Sequence, residues 1–203
     1  MFGTLCAIDP QAQNPELVQD TSLIQIFGRL LGTILDFFLQ AEAAKRREEY
    51  LRFISEQDSL TGLYNRRGWE VLLEKEEGRC QQFGFPACVI VFDLDKLKII
   101  NDVHGHAAGD RYLMETAKLL QETCREVDLC ARVGGYEYMV LLPETSLEQG
   151  EKIQQTIQTA LETAGIAASM GIAERHPQTG LERAVKVADA AMYHQKKQKH
   201  AHL

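Results

Sequence analysis

Two adjacent glycines between two short apolar segments constrain the fold of this chain more than any other feature. Gly134 and Gly135 separate residues 128–133 from residues 136–142, and both flanking segments are rich in side chains that favour β-strands. This pattern predicts a β-hairpin whose glycines adopt the positive φ angles of a tight turn. The remaining elements must therefore assemble around this hairpin.

A continuous apolar run from Ala87 to Phe92 predicts a central strand that is covered on both faces. Helical periodicity separates this strand from the hairpin, and a helix, a strand and a final helix follow the hairpin. The order strand, helix, strand, strand, helix, strand is that of a ferredoxin-like α+β domain, with a central antiparallel sheet flanked by helices. This arrangement places the end of the first strand, at Asp93, beside the hairpin turn.

The segment before this domain predicts a long N-terminal helix that pairs with another helix. Its apolar residues recur at alternating steps of four and three, which is the heptad pattern of a coiled coil. A homodimer through this helix is the preferred interpretation, and packing of the helix against its own domain is the alternative. The residues of the pattern are Leu23, Phe27, Leu30, Ile34, Phe37, Ala41 and Ala44.

Charge and cysteine usage argue against several classes of protein. The net charge is −7 and the basic residues are scattered, so the electrostatic footprint of a nucleic-acid-binding protein is absent. The five cysteines form no CxxC pair, which argues against a disulfide scaffold and a zinc site. No apolar run reaches the ~20 residues that span a bilayer. We expect a cytoplasmic protein with reduced thiols and no membrane or nucleic-acid partner for this chain.

Four segments, in the right order, resemble the GGDEF family of diguanylate cyclases. They match the family's opening Asp-x-Leu-Thr-Gly-Leu-x-Asn-Arg-Arg run, its Asp-x-Asp and Gly-His-x-x-Gly-Asp segments, its signature hairpin, and its last strand and helix. The resemblance implies a nucleotidyl-cyclase palm that joins two GTP molecules into cyclic di-GMP with the help of Mg²⁺. The four segments are residues 58–67, 93–110, 132–138 and 168–196.

A second resemblance lies near the first residue. Residues 2–8, followed by Asp9 and Pro10, resemble the last strand of a GAF sensor domain. Such a remnant is too short to form a ligand pocket, so we expect the chain to be a piece of a longer sensor-plus-output protein. The predicted parts are a GAF-like strand and linker at 1–22, a signalling helix at 23–57 and a GGDEF domain at 58–203.

The GGDEF resemblance implies a metal site, two contacts to guanine and several contacts to phosphate. Carboxylate and carbonyl oxygens suit Mg²⁺, and a carboxylate can accept hydrogen bonds from the donors of guanine. Helix-start backbone N–H groups and lysines suit phosphates. The implied residues are Asp93 and the carbonyl of Leu94 for metal, Asn101 and Asp110 for guanine, Lys98, Lys196 and the backbone at Leu97 for phosphate, and Asp93, Lys98 and Glu137 for catalysis.

The signature is degenerate at one position. Directly after the second glycine, where the family has an acidic metal ligand, this chain has Tyr136, so the hairpin reads Gly134-Gly135-Tyr136-Glu137-Tyr138. A phenol with a pKa near ~10 carries no negative charge at neutral pH, and a Mg²⁺ site that lacks a carboxylate predicts little or no cyclase activity. Adjacent residues of a strand point to opposite faces, which works against Glu137 taking over the role of the missing metal ligand. In the alternative, Glu137 or Asp95 fills the vacancy and the cyclase is active.

Arg125 and Asp128 precede the hairpin at the position where family members carry an Arg-x-x-Asp inhibitory site for their product. A guanidinium fork suits phosphate or a guanine edge, although such a pair is more often a surface ion pair at a helix end. The sequence therefore predicts an impaired GGDEF domain that binds cyclic di-GMP at this site and GTP at the site of Asn101 and Asp110. An active cyclase and a ligand-free dimerising relay are the alternatives.

Overall fold

The structure, a computed structural model, describes residues 22–201, and the GAF-like strand predicted at residues 2–8 lies outside them. It divides the chain into two compact units, Met1–Arg52 and Phe53–Leu203. The helices are α1 (Ser22–Ser55), α2 (Arg66–Phe83), α3 (Leu97–His104), α4 (His106–Thr123), α5 (Leu147–Thr163) and α6 (Gly180–Ala201). The strands are β1 (Ala87–Leu94), β2 (Leu129–Arg132), β3 (Glu137–Pro143) and β4 (Ala168–Glu174).

The four strands form one antiparallel sheet in the order β2-β3-β1-β4. This order confirms the predicted ferredoxin-like α+β fold. Every residue of β1 is buried, as its continuous apolar run predicts for a central strand. The register pairs Asp93 with Glu137 of β3 and with Ser169 of β4, so the end of β1 lies between the hairpin and β4.

Side chains of alternate strand residues build a core on each face of the sheet. On one face Phe92 and Tyr138 stack with ring centroids 5.1 Å apart, among side chains of α4 and α5. On the other face Val91 packs with Trp69 of α2 and with Ala188 of α6. Burial of one large apolar side chain stabilises a fold by roughly 1.5–3 kcal/mol, so the second cluster holds α2 and α6 on the face where Asp93 lies.

The opening motif forms a capped turn before α2. Asn65 is the N-cap of α2, and its side-chain oxygen accepts a hydrogen bond from the backbone N–H of Gly68 at 3.0 Å. The amide nitrogen of Asn65 donates to the carbonyls of Ser55 and Gln57, both at 2.9 Å. One side chain thus fixes the start of α2 and the chain that leads into it.

Within the first unit, α1 is a helix whose apolar side chains face solvent in the single chain. Phe27, Leu30, Ile34 and Phe37 of the heptad pattern are all exposed. Apolar residues outside that pattern are exposed as well, so the apolar surface is wider than a two-stranded seam requires; they include Leu31, Leu35, Phe38 and Leu39. Among residues 22–201, no helix has the length and apolar character needed to cross a membrane.

The hairpin forms where the sequence predicts it, but the role expected of its glycines is wrong. Neither Gly134 nor Gly135 adopts a positive φ. At Gly134 there is instead a close approach, because a Cβ atom there would lie 2.4 Å from Oε2 and 3.3 Å from Cβ of Glu137. A side chain at position 134 would therefore displace the Glu137 carboxylate, which comes near the turn.

Candidate functional site

The candidate site lies where the end of β1 meets the hairpin turn. Asp93 pairs with Glu137 across the sheet, and the backbone N–H of Leu94 donates to the carbonyl of Tyr136 at 3.1 Å. Tyr136 itself lies outside β3, in the turn. The fold therefore brings together the three positions that the sequence assigned to the metal and to catalysis, namely 93, 94 and 137, with the substituted residue beside them.

A lysine from α6 holds the carboxylate of Asp93. The Lys196 ammonium donates to Oδ1 of Asp93 at 2.5 Å, and only 6% of the Asp93 side chain is exposed. Burial raises the pKa of Asp93 and the neighbouring Asp95 charge raises it further, whereas Lys196 lowers it. Burying an unpaired carboxylate costs free energy, and the ion pair with the Lys196 ammonium offsets that cost.

Tyr136 contacts the same lysine. The ammonium of Lys196 lies 5.5 Å from the centroid of the Tyr136 ring, within the range of a cation–π interaction. Tyr136 is 48% exposed, so this contact contributes on the order of 0.5 kcal/mol. The substituted residue thus interacts with the cation of the site, whereas a carboxylate at position 136 would add a negative charge there.

A second lysine holds Asp95. The ammonium of Lys199 lies 3.4 Å from Oδ2 of Asp95 and donates to the carbonyl of Ala168 at 2.5 Å. The hydroxyl of Ser169 donates to Oδ1 of Asp95 at 2.8 Å. Both carboxylate oxygens of Asp95 are therefore engaged, which works against the alternative in which Asp95 moves to replace the missing acidic ligand.

Glu137 lies on the same face of the sheet as Asp93, because residues directly opposite each other in an antiparallel pair project to one side. Its side chain is 45% exposed, and its Oε2 lies 3.8 Å from Nη2 of Arg66. The long distance and the exposure make this a weak ion pair. Among Asp93, Asp95 and Glu137, Glu137 is thus the acidic group with the weakest ion pair at this edge.

The donor set at this edge does not make a complete Mg²⁺ site. The Asp93 carboxylate is bound to an ammonium, position 136 offers a neutral phenol, and no group of three or more His, Cys, Asp or Glu side chains is arranged for a metal within residues 22–201. Mg²⁺ requires near-octahedral oxygen ligation. A metal at Asp93 and the Leu94 carbonyl would have to displace Lys196 first.

The residues implied for guanine lie around the junction of α3 and α4. The amide oxygen of Asn101 is buried without a hydrogen-bond partner, and a Cβ on Gly109 would lie only 1.9 Å from it. Gly109 thus leaves the space that the Asn101 amide occupies, and exposed Asp110 follows directly on α4. An unpaired acceptor beside an exposed carboxylate is a suitable arrangement for a base edge that donates hydrogen bonds.

The residues implied for phosphate are divided between backbone and side chain. Leu97 begins α3 with its side chain in the core, so only its backbone is available to a ligand. The first turn of α3 has no side-chain cap, and Lys98 is exposed on that turn. The phosphate roles of Lys98 and Leu97 stay predictions, and Lys196 is engaged with Asp93 instead.

Arg125 and Asp128 form a closed turn between α4 and β2. The Arg125 guanidinium donates to Asp128 at 2.6 Å and to the Thr145 hydroxyl at 2.8 Å, and the Arg125 backbone N–H donates to Asp128 at 2.8 Å. The Asp128 side chain is fully buried, whereas 47% of the Arg125 side chain is exposed. Asp128 therefore orients Arg125, and the guanidinium is the group that a ligand can reach.

Arg125 borders two cavities. One, of about 290 Å³, is also lined by Asp128 and Tyr64; the other, of about 450 Å³, is lined by Arg79 and Glu144. Arg79 is paired with Glu144, a residue with a φ of 51° that is unusual for a non-glycine side chain. Two guanidinium groups thus share the larger cavity with a carboxylate that neutralises one of them.

Sequence reasoning missed two basic residues at these sites. Arg79 is on α2, far along the chain from Arg125, and no local motif indicates that the fold brings them to one cavity. Lys199 is on α6, far along the chain from Asp95, and its ammonium reaches the Asp95 carboxylate. The available signal for Lys199 was its spacing of three residues from Lys196, which puts both on one face of a helix.

Comparisons with known proteins agree on one family. Residues 55–202 match the family described as diguanylate cyclase, GGDEF domain. A probable diguanylate cyclase of Escherichia coli K12, DgcC, is 31% identical over 184 residues, which are 86% of this chain and 49% of DgcC. The diguanylate cyclase DgcP of Pseudomonas aeruginosa is 37% identical over 149 residues, 69% of this chain and 22% of DgcP. The chain therefore spans about half the length of DgcC and less than a quarter of the length of DgcP.

Solved structures give the same result. The diguanylate cyclase SiaD of Pseudomonas aeruginosa, in complex with its activator SiaC, superposes with a TM-score of 0.70 at 30% identity, covering 90% of this chain and 75% of SiaD. A microbial GGDEF domain solved with cyclic di-GMP superposes with a TM-score of 0.68 at 31% identity, covering 73% and 94% of the two chains. With these matches and the geometry described above, the chain belongs to the GGDEF family of diguanylate cyclase domains.

Proposed function

We propose that this GGDEF domain binds cyclic di-GMP through Arg125, oriented by Asp128, and synthesises little or none of it. The observation that carries the proposal is the half-exposed Arg125 guanidinium, held in place by a fully buried carboxylate and bordering two cavities. A fixed guanidinium fork at a cavity suits the phosphates or the guanine edge of a dinucleotide. A GGDEF relative has been solved with cyclic di-GMP, which supports this ligand class.

The impaired chemistry follows from the edge at Asp93. Phosphoryl transfer needs positive charge at the phosphates and an activated hydroxyl, and the residues here pair Asp93 with Lys196 and place a phenol at position 136. A nucleotide that docks through Asn101 and Asp110 would meet Lys196 and exposed Lys98 without the second carboxylate. We therefore infer that GTP binds as a ligand of a site that does not complete the reaction.

A residual cyclase is the second candidate function. Glu137 favours it, because this carboxylate lies on the same face as Asp93, is half-exposed and has only a weak partner. A small movement of Glu137 would bring a second carboxylate toward Asp93. The relatives named as diguanylate cyclases also favour this candidate.

The domain also lacks the second half-site that a reaction between two GTP molecules requires. The exposed apolar face of α1 supports a homodimer through this helix, which would bring two domains together. The dimer serves both candidate functions, because a domain that binds cyclic di-GMP and an enzyme would each transmit a signal through paired helices.

Calorimetric titration with cyclic di-GMP tests the binding site. We expect the unmodified protein to bind and Arg125→Ala to lose at least tenfold in affinity. Lys152→Ala is the matched control, because Lys152 is an exposed basic residue of α5 that pairs with Glu148 and lines neither cavity. Equal affinity of all three proteins would reject the assigned site.

Incubation with GTP and Mg²⁺, read by chromatography for cyclic di-GMP, tests the chemistry. We expect no product above the background of a protein-free control. Sustained turnover would reject the impaired domain in favour of the residual cyclase, and loss of that turnover in Glu137→Gln would then identify the carboxylate that supports it.

A further inference from the structure

Two cysteines bracket the turn that carries Arg125 and Asp128. Cys124 is the C-cap of α4 and Cys130 lies in β2, so the segment between them contains the whole turn. Both side chains line the 290 Å³ cavity that Arg125 and Asp128 border, and Cys124 packs against the core cluster that contains Cys130. The fold thus places two thiols together at the edge of the proposed ligand site.

The two thiols differ in accessibility. Cys124 is half-buried, whereas Cys130 is 8% exposed. A hydrogen bond with Cys124 raises the pKa of the Cys130 thiol, and burial raises it further, so Cys130 remains protonated beside its neighbour. Cys124 is therefore the sulfur that a small oxidant entering the cavity reaches first, and Cys130 is the sulfur behind it.

The other two free cysteines among the described residues lack such a partner. The thiol of Cys80 lies 3.7 Å from the Glu76 carboxylate, and the thiol of Cys88 donates to the Thr145 carbonyl at 3.3 Å. Burial raises the pKa of Cys80 to about 11 and that of Cys88 to about 12. Neither thiol lines the 290 Å³ cavity that Cys124 and Cys130 share, so both serve as internal controls.

We propose that Cys124 and Cys130 form a reversible disulfide, with a hydroperoxide as oxidant, that closes the turn carrying Arg125 and Asp128 and weakens its binding of a cyclic dinucleotide. The effect on binding rests on the proposed function, whereas formation of the disulfide does not.

The reaction consumes one hydrogen peroxide for each disulfide. The Cys124 thiolate attacks one peroxide oxygen, the O–O bond breaks, and a sulfenic acid and hydroxide form. The Cys130 sulfur then attacks the Cys124 sulfur, the S–O bond breaks, and the proton of Cys130 leaves with the departing hydroxide as water. In sum two thiols are oxidised by two electrons and hydrogen peroxide is reduced to two molecules of water.

The disulfide would alter the turn because Cys124 directly precedes Arg125. An S–S bond requires the sulfur atoms to approach to ~2 Å, closer than a thiol hydrogen bond allows, so the backbone at Cys124 must shift. The Arg125 backbone N–H and guanidinium both bind Asp128, and a shift of the backbone changes the direction of that fork. We expect at least a tenfold loss of affinity for cyclic di-GMP.

Peptide mapping of the full chain tests disulfide formation. Trypsin cleaves after Lys118, Arg125 and Arg132, which puts the two cysteines in separate peptides, 119–125 and 126–132. After peroxide treatment and alkylation without reductant, we expect these peptides linked in one species that dithiothreitol separates. Cys124→Ser must abolish the species, and a Cys6→Ser background removes the thiol outside the described residues. Absence of the linked species at millimolar peroxide overturns the proposal.

Titration with cyclic di-GMP tests the consequence. The affinities of the reduced protein and of the oxidised protein are compared. The control is Cys130→Ser after the same peroxide treatment, and this variant must bind with the affinity of the reduced protein. A linked species with unchanged affinity overturns the effect on binding. If the reduced protein binds no cyclic di-GMP while the linked species forms, the proposed function fails and the modification site stands.

Discussion

Arg132 binds Asp58 across 74 residues of sequence and thereby ties the turn before α2 to the hairpin. Its Nη1 donates to both carboxylate oxygens, at 3.1 and 3.2 Å, and its Nη2 donates to the Gly135 carbonyl at 2.9 Å. Asp58 also accepts hydrogen bonds from the backbone and hydroxyl of Thr61. The pair is largely buried, with 13% and 22% of the two side chains exposed. The position of the hairpin turn therefore depends on this ion pair.

Asp58→Asn removes the charge from this pair while it keeps an oxygen for Thr61. We expect the free energy of unfolding to fall by about 2 kcal/mol, because a partly buried guanidinium loses its counterion. Urea denaturation measures this change, and hydrogen exchange of residues 133–136 should accelerate. Glu115→Gln, at an exposed position of α4, is the control and should stay within about 0.5 kcal/mol of the unmodified protein. A similar small change for Asp58→Asn would show that the pair contributes little.

Tyr136→Asp restores a carboxylate beside Asp93, and we expect Mg²⁺-dependent formation of cyclic di-GMP to rise at least tenfold above the unmodified protein. The new charge would also attract Lys196 away from Asp93, which frees an oxygen for the metal. Tyr136→Asn is the matched control, because it has a similar size and no charge. Equal rates for the two variants would locate the defect elsewhere.

Leu30→Glu with Ile34→Glu puts two charges on the apolar face of α1. We expect the protein to change from a dimer to a monomer, because like charges then face each other in the seam of the paired helices. Light scattering after gel filtration measures the mass. The control is Arg29→Glu, a change on the same helix outside the heptad pattern. A monomer before any substitution would contradict the predicted dimer.

Glu77 on α2 binds both Arg175 and the start of α6. Its carboxylate accepts hydrogen bonds from the Arg175 guanidinium at 2.7 and 2.9 Å and from the Leu181 backbone N–H at 2.8 Å. These hydrogen bonds, led by that from Arg175, lower the pKa of Glu77 to about 2 from its usual 4.5. Because the unfolded chain binds the proton more tightly, this stabilisation is full above pH 4.5 and is lost as the pH falls toward 2.

We expect Glu77→Gln to reduce the free energy of unfolding at pH 7 by about 2 kcal/mol and to flatten its dependence on pH between 4.5 and 2. Denaturation at a series of pH values measures both effects. Glu74→Gln, one turn earlier at an exposed position, should leave the slope unchanged. An unaltered slope in Glu77→Gln would mean that other carboxylates govern stability in acid.

The order of the elements and the identity of the family were readable from the sequence, because each depends on local patterns. A continuous apolar run predicts β1 as a buried strand, Asn65 predicts the start of α2, and the two glycines predict the hairpin. These signals act over a few residues, where apolar periodicity, capping and turn formation dominate. Even so, the backbone angle expected of the hairpin glycines was wrong, because neither Gly134 nor Gly135 adopts a positive φ.

The tertiary structure decided which charged side chains form ion pairs. The sequence predicted that a carboxylate is missing at Tyr136, but only the packing of α6 on the sheet brings Lys196 to Asp93, 103 residues away, and Lys199 to Asp95. In the same way, Arg79 reaches the cavity of Arg125 only because α2 and the loop after β3 are neighbours. Side-chain electrostatics act over a few ångströms, and those distances exist only after the chain has folded.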